Sequence, residues 1–363
     1  MAPRRKSVVL IENATMNLSY SQDCLLELPP QILSEKNALV GLNLGHSSIT
    51  DDDLPALANA AKVCRCLESL CLSHNALSDD SMELICSVVG TLEATLTSLD
   101  VGLNAFTPLG GRALGECLTT NDRVEECRVG KAMLPVQRFK GGAARVDVSQ
   151  KLFTAIDGAL VARLTSTSLS DLETVCLSGH PLPMKTLLFG QAEGPNALDL
   201  ARTQLGAADA WVVAGALEAD LRPGLRKLVL DGNAVCASGA FALGVALRRC
   251  RCLGDLSLNS CQLTDDGHDG RGVEAIGEAL RHNPALASLA MRDNDIDEGL
   301  VVTLAAALTS DGLTALDLRD NPFADGAGGR QRHKRVIQVR FNVSVPRARV
   351  PETGSTLRER VES

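Results

Sequence analysis

One pattern recurs along this chain at a nearly constant spacing, and it constrains the fold more than any other feature. Residues 225–235 read L-R-K-L-V-L-D-G-N-A-V, and residues 253–263 read L-G-D-L-S-L-N-S-C-Q-L, so the second copy begins 28 residues after the first. In an extended segment, residues two positions apart share a face, and Leu228 and Leu230 therefore point to the same side. Each copy predicts a short strand that ends near Asn233, whose side chain can bond to the turning backbone.

A helix is expected to follow each strand. After Gly239 the residues Ala240, Leu243 and Leu247 fall on one face of a helix. A strand and a helix of this kind cannot bury their apolar faces alone, whereas stacking the next copy beside them closes the core. The chain is therefore predicted to be one elongated array, although a length of 363 residues would by itself favour two or three domains.

The first residue of each copy identifies ten repeats. They begin at Leu39, Leu67, Leu96, Val124, Leu172, Pro195, Leu225, Leu253, Leu286 and Leu313. Residues 1–38 are predicted to form an N-terminal extension and cap, residues 39–329 the array of about ten repeats, and residues 330–363 a basic capping strand and tail. The longest step between two starts predicts an insertion near residues 135–168, which opens with an exposed, Gly-containing loop at residues 134–148.

The pattern L-x-x-L-x-L-x-x-N/C-x-L, with a Gly near the start of the helix, resembles the leucine-rich repeat. More narrowly, it is similar to the ribonuclease-inhibitor-like subclass, which includes Ran GTPase-activating protein and the repeat arrays of NLR receptors. The resemblance covers residues 39–323. It implies an α/β fold in the form of a right-handed leucine-rich-repeat solenoid, a horseshoe with parallel β-strands on the concave side and α-helices on the convex side.

Charge and composition narrow the classes of function. The net charge is −8, yet residues 330–363 contain nine Lys and Arg against three Glu. The array itself is therefore acidic, which argues against nucleic acid binding along it. The basic tail, in which residues 336–343 alternate like a capping strand, is expected either to remain solvated or to contact an acidic surface such as a tubulin tail, a phospholipid or RNA.

The expected compartment follows from the absence of apolar segments long enough to span a membrane or direct secretion. No apolar run approaches the roughly 18–20 residues that span a bilayer, and the N-terminal sequence MAPRRKSVVLIEN has too short an apolar stretch for a secretory signal. Membrane insertion is therefore not expected, and a cytoplasmic location is predicted. The twelve cysteines are expected to be reduced thiols.

The strand positions that should face the concave side change in character along the chain. In the N-terminal repeats they are mostly small, whereas in the C-terminal repeats they are charged. The charged set is Asp231, Asp255, Arg292, Asp293, Asp317, Arg319 and Asp320. One hypothesis is that a polar protein partner docks on these residues, with Arg as the residue type enriched in binding hot spots; the alternative is a face that is merely soluble.

Two aromatic residues offer a second candidate surface. Trp211 and Phe241 hold the same position in consecutive predicted helices, where other repeats carry Glu83, Arg112 and Glu274. The pair would form an exposed docking patch on the convex side. The alternative is burial of both rings between adjacent helices.

No catalytic, cofactor or metal site is predicted. Residues 64–66 and 250–252 both read C-R-C, which is not the C-x₂-C spacing of common zinc sites, and equivalent positions in distant repeats cannot share one ion. His46 and His74 are expected to lie about 5 Å apart on neighbouring strands, but two imidazoles are too few ligands. No cysteine has an assignable catalytic base, and no phosphate-binding Gly-rich loop is present.

Three classes of function were compared. The first is a non-enzymatic protein interaction scaffold, with a cytoskeletal, ciliary or flagellar complex as the setting that the family resemblance suggests. The alternative is a Ran GTPase-activating protein-like regulator of a small GTPase, because residues 99–114, LDVGLNAFTPLGGRAL, are similar to repeats of that family. An immune-type sensor would need a nucleotide-binding domain, for which the chain has no room.

Overall fold

Two compact units make up the chain, and each is described by itself. The first comprises Met1–Leu188 and Gln204–Leu221, and the second comprises Phe189–Thr203 and Arg222–Ser363. The computed structural model describes residues 10–12, 15–20, 39–62, 64, 66–166, 172–190, 196–219, 225–307, 312–325 and 329–332.

The first unit contains ten strands and six α-helices among its described residues. The strands are β1 Leu10–Glu12, β2 Thr15–Asn17, β3 Gly41–Asn43, β4 Ser69–Cys71, β5 Ser98–Asp100, β6 Glu126–Arg128, β7 Met133–Pro135, β8 Arg145–Asp147, β9 Thr174–Cys176 and β10 Pro181–Pro183. The helices are α1 Leu54–Ala61, α2 Met82–Thr91, α3 Pro108–Thr119, α4 Ala155–Ser166, α5 Met184–Phe189 and α6 Ala207–Ala219. Strands β2 to β6 are parallel neighbours in one sheet, and β8 pairs in parallel with β9.

The second unit repeats this alternation. Its described strands are β11 Ala197–Asp199, β12 Lys227–Val229, β13 Asp255–Ser257, β14 Ser288–Ala290, β15 Ala315–Asp317, β16 Pro322–Asp325 and β17 Gly329–Arg332, and its helices are α7 Cys236–Leu247, α8 Arg271–Leu280 and α9 Glu298–Ala307. Strands β11 to β15 form a parallel sheet, and β16 and β17 form an antiparallel hairpin. Because parallel strands and helices alternate in both units, the predicted α/β solenoid fold is confirmed.

The register of the strands follows the leucine pattern. Each of the ten predicted repeat starts is followed two residues later by a strand. In the second unit the central residues of neighbouring strands pair as Leu198, Leu228, Leu256, Leu289 and Leu316. The last four are buried, and the residues on either side of each are half-buried or exposed. The alternation of side chains along a strand therefore places the central leucine of these four strands in the core.

Two repeats of the first unit contain a β-hairpin that the sequence interpretation missed. Strand β7 returns antiparallel to β6, and β10 returns antiparallel to β9. Each returning strand contains a Leu-Pro pair, at Leu134-Pro135 and Leu182-Pro183, and both leucines are buried. These hairpins interrupt the parallel pairing, so β8 starts a new sheet rather than joining β6.

The prediction of an exposed loop at residues 134–148 is therefore wrong. The segment forms β7, a short π-helical turn at Arg138–Gly142 and β8. Its apolar side chains Leu134, Phe139 and Val146 are buried. The prediction gave too much weight to Pro, Gly and basic residues and too little to the apolar residues between them.

Two further predictions concern the ends of the chain. Strand β2, which lies within the predicted N-terminal extension, pairs in parallel with β3 in the register of a repeat. Of the predicted N-terminal extension and cap at residues 1–38, the structure describes only residues 10–12 and 15–20. The predicted capping strand at residues 336–343 lies entirely outside the described residues.

A polar side chain at the turn after each regular strand connects consecutive repeats, and it is buried in some repeats and half-buried in others. Asn75, Asn104, Asn233, Asn294 and Asn321 occupy this position. The Asn104 side-chain amide donates to the carbonyl of Val101 in its own repeat (2.8 Å) and to that of Leu72 in the preceding repeat (3.0 Å). Its Oδ1 accepts the backbone N–H groups of Asn75 and Leu77, at 3.0 and 3.2 Å. One side chain thus satisfies four backbone groups of two repeats.

In other repeats a different polar residue takes the place of the asparagine and makes fewer hydrogen bonds. The Ser47 hydroxyl donates to Leu18 O and Gly45 O, at 3.1 Å each, and the Cys261 thiol donates to Leu230 O at 3.2 Å. This confirms that Cys261 takes the place of the asparagine. In the two hairpin repeats the equivalent residues are Ala132 and His180, because the returning strand replaces the turn.

The helices of the first unit approach one another closely at glycines. A Cβ atom added to Gly158 in α4 would lie 2.3 Å from the carbonyl oxygen of Ala208 in α6, and one added to Gly111 in α3 would lie 2.4 Å from the carbonyl oxygen of Ile156 in α4. These distances leave no room for a side chain, so the glycines set the spacing of the helices.

Two aspartates near the starts of helices are buried completely. Asp157 in α4 accepts the backbone N–H of Gly130 at 3.1 Å and of Thr154 at 2.9 Å, which connects the helix to the preceding hairpin repeat. Asp209 holds the equivalent position in α6 and accepts the backbone N–H of Gly206 at 2.9 Å. Burial raises the pKa of Asp209, although hydrogen bonds from Ser178 and Gly206 oppose the shift.

The close helix contacts predict the effect of adding one methyl group. The substitution G158A is expected to destabilise the protein by about 1–3 kcal/mol, because the backbone of Ala208 must move. The control G90A adds its methyl group where no heavy atom lies within 4 Å. It should be neutral or stabilising by up to about 1 kcal/mol, since Ala favours helix over Gly. Urea denaturation followed by circular dichroism measures both; equal stability of the two variants contradicts the packing described.

The hydrogen bonds of Asn104 predict a second difference, between the stabilities of two asparagine variants. N104A leaves the Val101 carbonyl and the N–H groups of Asn75 and Leu77 without their partner, whereas Leu72 O keeps its bond from Asn75 at 2.8 Å. We expect a loss of about 2–4 kcal/mol. The matched control is N59A, which removes an exposed asparagine from α1 and should change stability by less than about 0.5 kcal/mol. Denaturation midpoints that coincide for the two variants would show that the side chain of Asn104 is dispensable.

Candidate partner-binding surface

The seven charged residues predicted to bind a partner all belong to the second unit. They lie on strands β12 to β15 or in the turns that follow them, on the side of the sheet opposite the buried leucines. We call this side, formed by the first and third residues of β11 to β15 and the turn residues after them, the open face. The strand register places Asp255 beside Lys227 and Ser288, and Asp317 beside Ala290.

Four of the predicted residues form two ion pairs at one end of the open face. Arg292 donates to Asp320 at 2.7 Å, and Arg319 forms a two-pronged pair with Asp317 at 2.9 and 2.5 Å. We call Arg292, Asp317, Arg319 and Asp320 the Arg–Asp cluster. Between 27% and 40% of each side chain is exposed, so the cluster is ordered by its own charges and still reaches solvent.

Electrostatics favours the ionised form of Asp317. Burial alone would raise the pKa of this carboxyl, but hydrogen bonds from Arg319 and the nearby charge of Arg292 outweigh it and lower the pKa. The carboxylate therefore stays charged across the neutral range and keeps the Arg319 guanidinium in place.

The other three predicted residues differ in how accessible their carboxylates are to a partner. Asp231 accepts the Ser257 hydroxyl at 2.7 Å and both the backbone and side-chain N–H groups of Asn259, at 2.9 and 3.0 Å. Asp293 is exposed and accepts the Ser260 hydroxyl at 3.0 Å. Asp255 is exposed on β13. Asp231 therefore connects its repeat to the next one through hydrogen bonds, whereas Asp255 and Asp293 face solvent.

Three charged residues of the open face were missed. Lys227 and Asp199 occupy the first position of β12 and the third position of β11, Arg202 lies in the turn after β11, and all three are exposed. Their positions in the repeat are also those of predicted residues, so the repeat pattern itself was a sufficient signal. The open face therefore carries charges of both signs along its whole length.

The corresponding face of the first unit carries stacked rings at its turns, in addition to the ion pair between Asp100 of β5 and Arg128 of β6. The Tyr20 and His46 rings stack with centroids 4.7 Å apart, and the His46 and His74 rings stack at 3.9 Å. Leu103 holds the same turn position in the next repeat, and all four residues are exposed and have positive φ angles between 54° and 65°. The sequence predicted the neighbouring histidines but missed Tyr20, which lies outside the ten predicted repeats.

The predicted convex aromatic patch needs correction. Trp211 is only 4% exposed, and α6 is buried from Ala208 to Leu217 without a solvent-facing stripe. The helix is apolar on every side, unlike α2, α3 and α8, which place Glu83, Arg112 and Glu274 at the matching position. Phe241 is half-buried in α7 of the second unit. Trp211 therefore cannot supply an exposed docking ring.

Burial of Trp211 predicts a simple optical result. Trp211 is the single tryptophan of the chain, so the intrinsic fluorescence reports on it alone. Acrylamide should quench the folded protein weakly and the urea-unfolded protein strongly, because the quencher must contact the indole ring. Equally strong quenching of both forms would contradict the burial.

The structure gathers no metal cluster within the part of the chain that it describes. No three His, Cys, Asp or Glu side chains there lie close enough to hold an ion together. Likewise, none of the described helices combines the length and the apolar character that crossing a bilayer requires.

Comparison with known proteins identifies the repeat. The family model of the leucine-rich repeat matches residues 63–86 and 94–115, which include β4 and β5. This match supports the leucine-rich repeat and leaves the ribonuclease-inhibitor-like subclass as a prediction. A search of curated protein sequences finds no match to the chain.

Two solved structures match the chain with low TM-scores. The chain is similar to an internalin (inlF) from Listeria monocytogenes str. 4b F2365, with 16% identity over 73% of this chain and 77% of that chain and a TM-score of 0.19. It is also similar to TLR13 in a complex with ssRNA13, with 15% identity, a TM-score of 0.25, and coverage of 86% of this chain but 50% of that chain. These scores carry no argument about function.

Proposed function

We propose that this chain, whose residues 63–86 and 94–115 match the leucine-rich repeat model, is a non-enzymatic scaffold that binds a protein partner on the open face of its second unit. Leucine-rich repeats generally mediate protein–protein interaction, and stacked repeats offer a long continuous surface rather than a closed pocket. The observation that carries the proposal is the Arg–Asp cluster, which holds two half-exposed guanidinium groups in fixed positions.

The energetics of the cluster support a role in binding. Solvent-exposed ion pairs contribute little to stability, typically below about 1 kcal/mol. Arg292 and Arg319 therefore add little to the fold, whereas preorganised arginines reduce the entropy that a partner must overcome on binding. A partner surface that carries carboxylates opposite Arg292 and Arg319 and basic groups opposite Asp199 and Asp255 would match the charges of the open face.

Charge reversal tests the proposal. The double variant R292E/R319E should reduce capture of the partner by tenfold or more, on the order expected for interface hot spots. The matched control is R248E/R281E, which makes the same charge change at two exposed residues, one after α7 and one after α8. Affinity purification from the native cell with quantitative mass spectrometry measures both. Unchanged capture by R292E/R319E, or an equal loss with the control, contradicts the proposal.

The family resemblance extends the proposal to a setting. The proposed location is the cytoplasm, in a cytoskeletal, ciliary or flagellar complex. Affinity purification with bait proteins that contain or lack residues 330–363 tests whether the basic tail contacts an acidic surface. The alternative of a Ran GTPase-activating protein-like regulator makes a different prediction, since it requires faster GTP hydrolysis by Ran. No residue of this chain is assigned a catalytic role in that reaction.

A further inference from the structure

Two cysteine side chains lie side by side in the loop that leads from α7 into β13. The sulfur atoms of Cys250 and Cys252 are 3.6 Å apart. A disulfide bond requires an S–S distance of about 2.05 Å, so the sulfurs must approach by about 1.5 Å. Since Cys252 is half-exposed, rotation of its side chain can supply this movement without a change in the core.

The two cysteines differ in how firmly they are held. Cys250 is buried; its backbone N–H donates to the carbonyl of Ala246 at 3.0 Å, and its carbonyl accepts the side-chain amide of Asn283 at 3.1 Å. Cys252 reaches solvent. This arrangement pairs an accessible thiol, which a small molecule can reach, with a fixed thiol next to it.

The surrounding charges favour thiolate chemistry. The local sequence is R-R-C-R-C, and Arg248, Arg249 and Arg251 are all exposed. Arg251 lies between the cysteines and donates to the carbonyl of His282 at 3.0 Å. Positive side chains close to a partly exposed cysteine stabilise the thiolate, which is the reactive form in disulfide exchange.

We propose that Cys250 and Cys252 form a redox modification site whose oxidant is a small-molecule disulfide of the glutathione type. The Cys252 thiolate attacks one sulfur of the small disulfide, forms a mixed disulfide and releases one thiolate. Cys250 then loses its proton to solvent and attacks the Cys252 sulfur, and the second thiolate leaves. The protein pair loses two hydrogens in total, and the small disulfide is reduced to two thiols.

The chain contains its own comparison pair. Cys64 and Cys66 form the other C-R-C sequence, at the same position of an earlier repeat. Cys64 is buried and Cys66 is exposed, but the described contacts of these two residues include no sulfur–sulfur approach like that of Cys250 and Cys252. Because no such sulfur–sulfur approach is among these contacts, Cys66 should collect a mixed disulfide that Cys64 does not resolve.

The test uses the full chain in mixtures of reduced and oxidised glutathione. Free thiols are alkylated, the protein is digested with trypsin without reduction, and fragmentation spectra locate each bond. In the wild type we expect a bond between Cys250 and Cys252, which keeps residues 250–251 attached to the peptide 252–271 after cleavage at Arg251. The C250S variant should instead retain glutathione on Cys252, because the resolving thiol is missing, and C252S should leave Cys250 free.

The wild-type result tests the proposed redox site by itself, even if a variant fails to fold. Two outcomes overturn the proposal. In one, both thiols remain free in the most oxidising mixture. In the other, glutathione stays on wild-type Cys252 without a bond to Cys250. Formation of the Cys250–Cys252 bond while Cys66 carries only mixed disulfide supports it, since sequence alone does not distinguish the two C-R-C segments.

Discussion

The hydrogen bonding of the polar side chain at the turn of each regular repeat is the interaction on which the rest of the structure depends. A turn leaves backbone carbonyl and N–H groups inside the protein, and leaving such groups unbonded is costly. Asn321 shows how the cost is avoided: its amide donates to Leu318 O and Met291 O, both at 2.9 Å, and its Oδ1 accepts the N–H groups of Asn294 and Ile296. Each such side chain fixes its own repeat and the one before it.

This connection determines what the surface can present. Because consecutive strands are held in register, the residue at a given position of each repeat lines up with its counterpart in the next repeat. In the first unit that alignment stacks His46 on His74. In the second unit Arg292 bonds to Asp320, which lies one position further along the next repeat. Similar repeats therefore display different surfaces, because the exposed positions carry no packing constraint and are free to vary in charge and shape.

The sequence predicts those parts of the fold that depend on the repeat pattern. All ten predicted starts are followed by strands, because a leucine in the wrong register would place its side chain in water. The pattern fails where the turn chemistry changes. At Ala132 and His180 the asparagine is missing because a returning strand takes over the backbone groups, and the sequence interpretation therefore treated β7 and β8 as an insertion. The contacts of Cys250 with Cys252 depend on side-chain rotation within a loop, which spacing alone does not specify.

The most direct test of this account is hydrogen–deuterium exchange of the turn amides, resolved to single residues. The backbone N–H groups of Leu77 and Ile296 donate to side-chain oxygens, those of Asn104 and Asn321 respectively, rather than to a backbone carbonyl. If these asparagines connect the repeats, both amides should exchange as slowly as the amides of neighbouring strands. Exchange at the rate of the exposed turn amides would show that the side chains do not hold the repeats together, and would contradict the account.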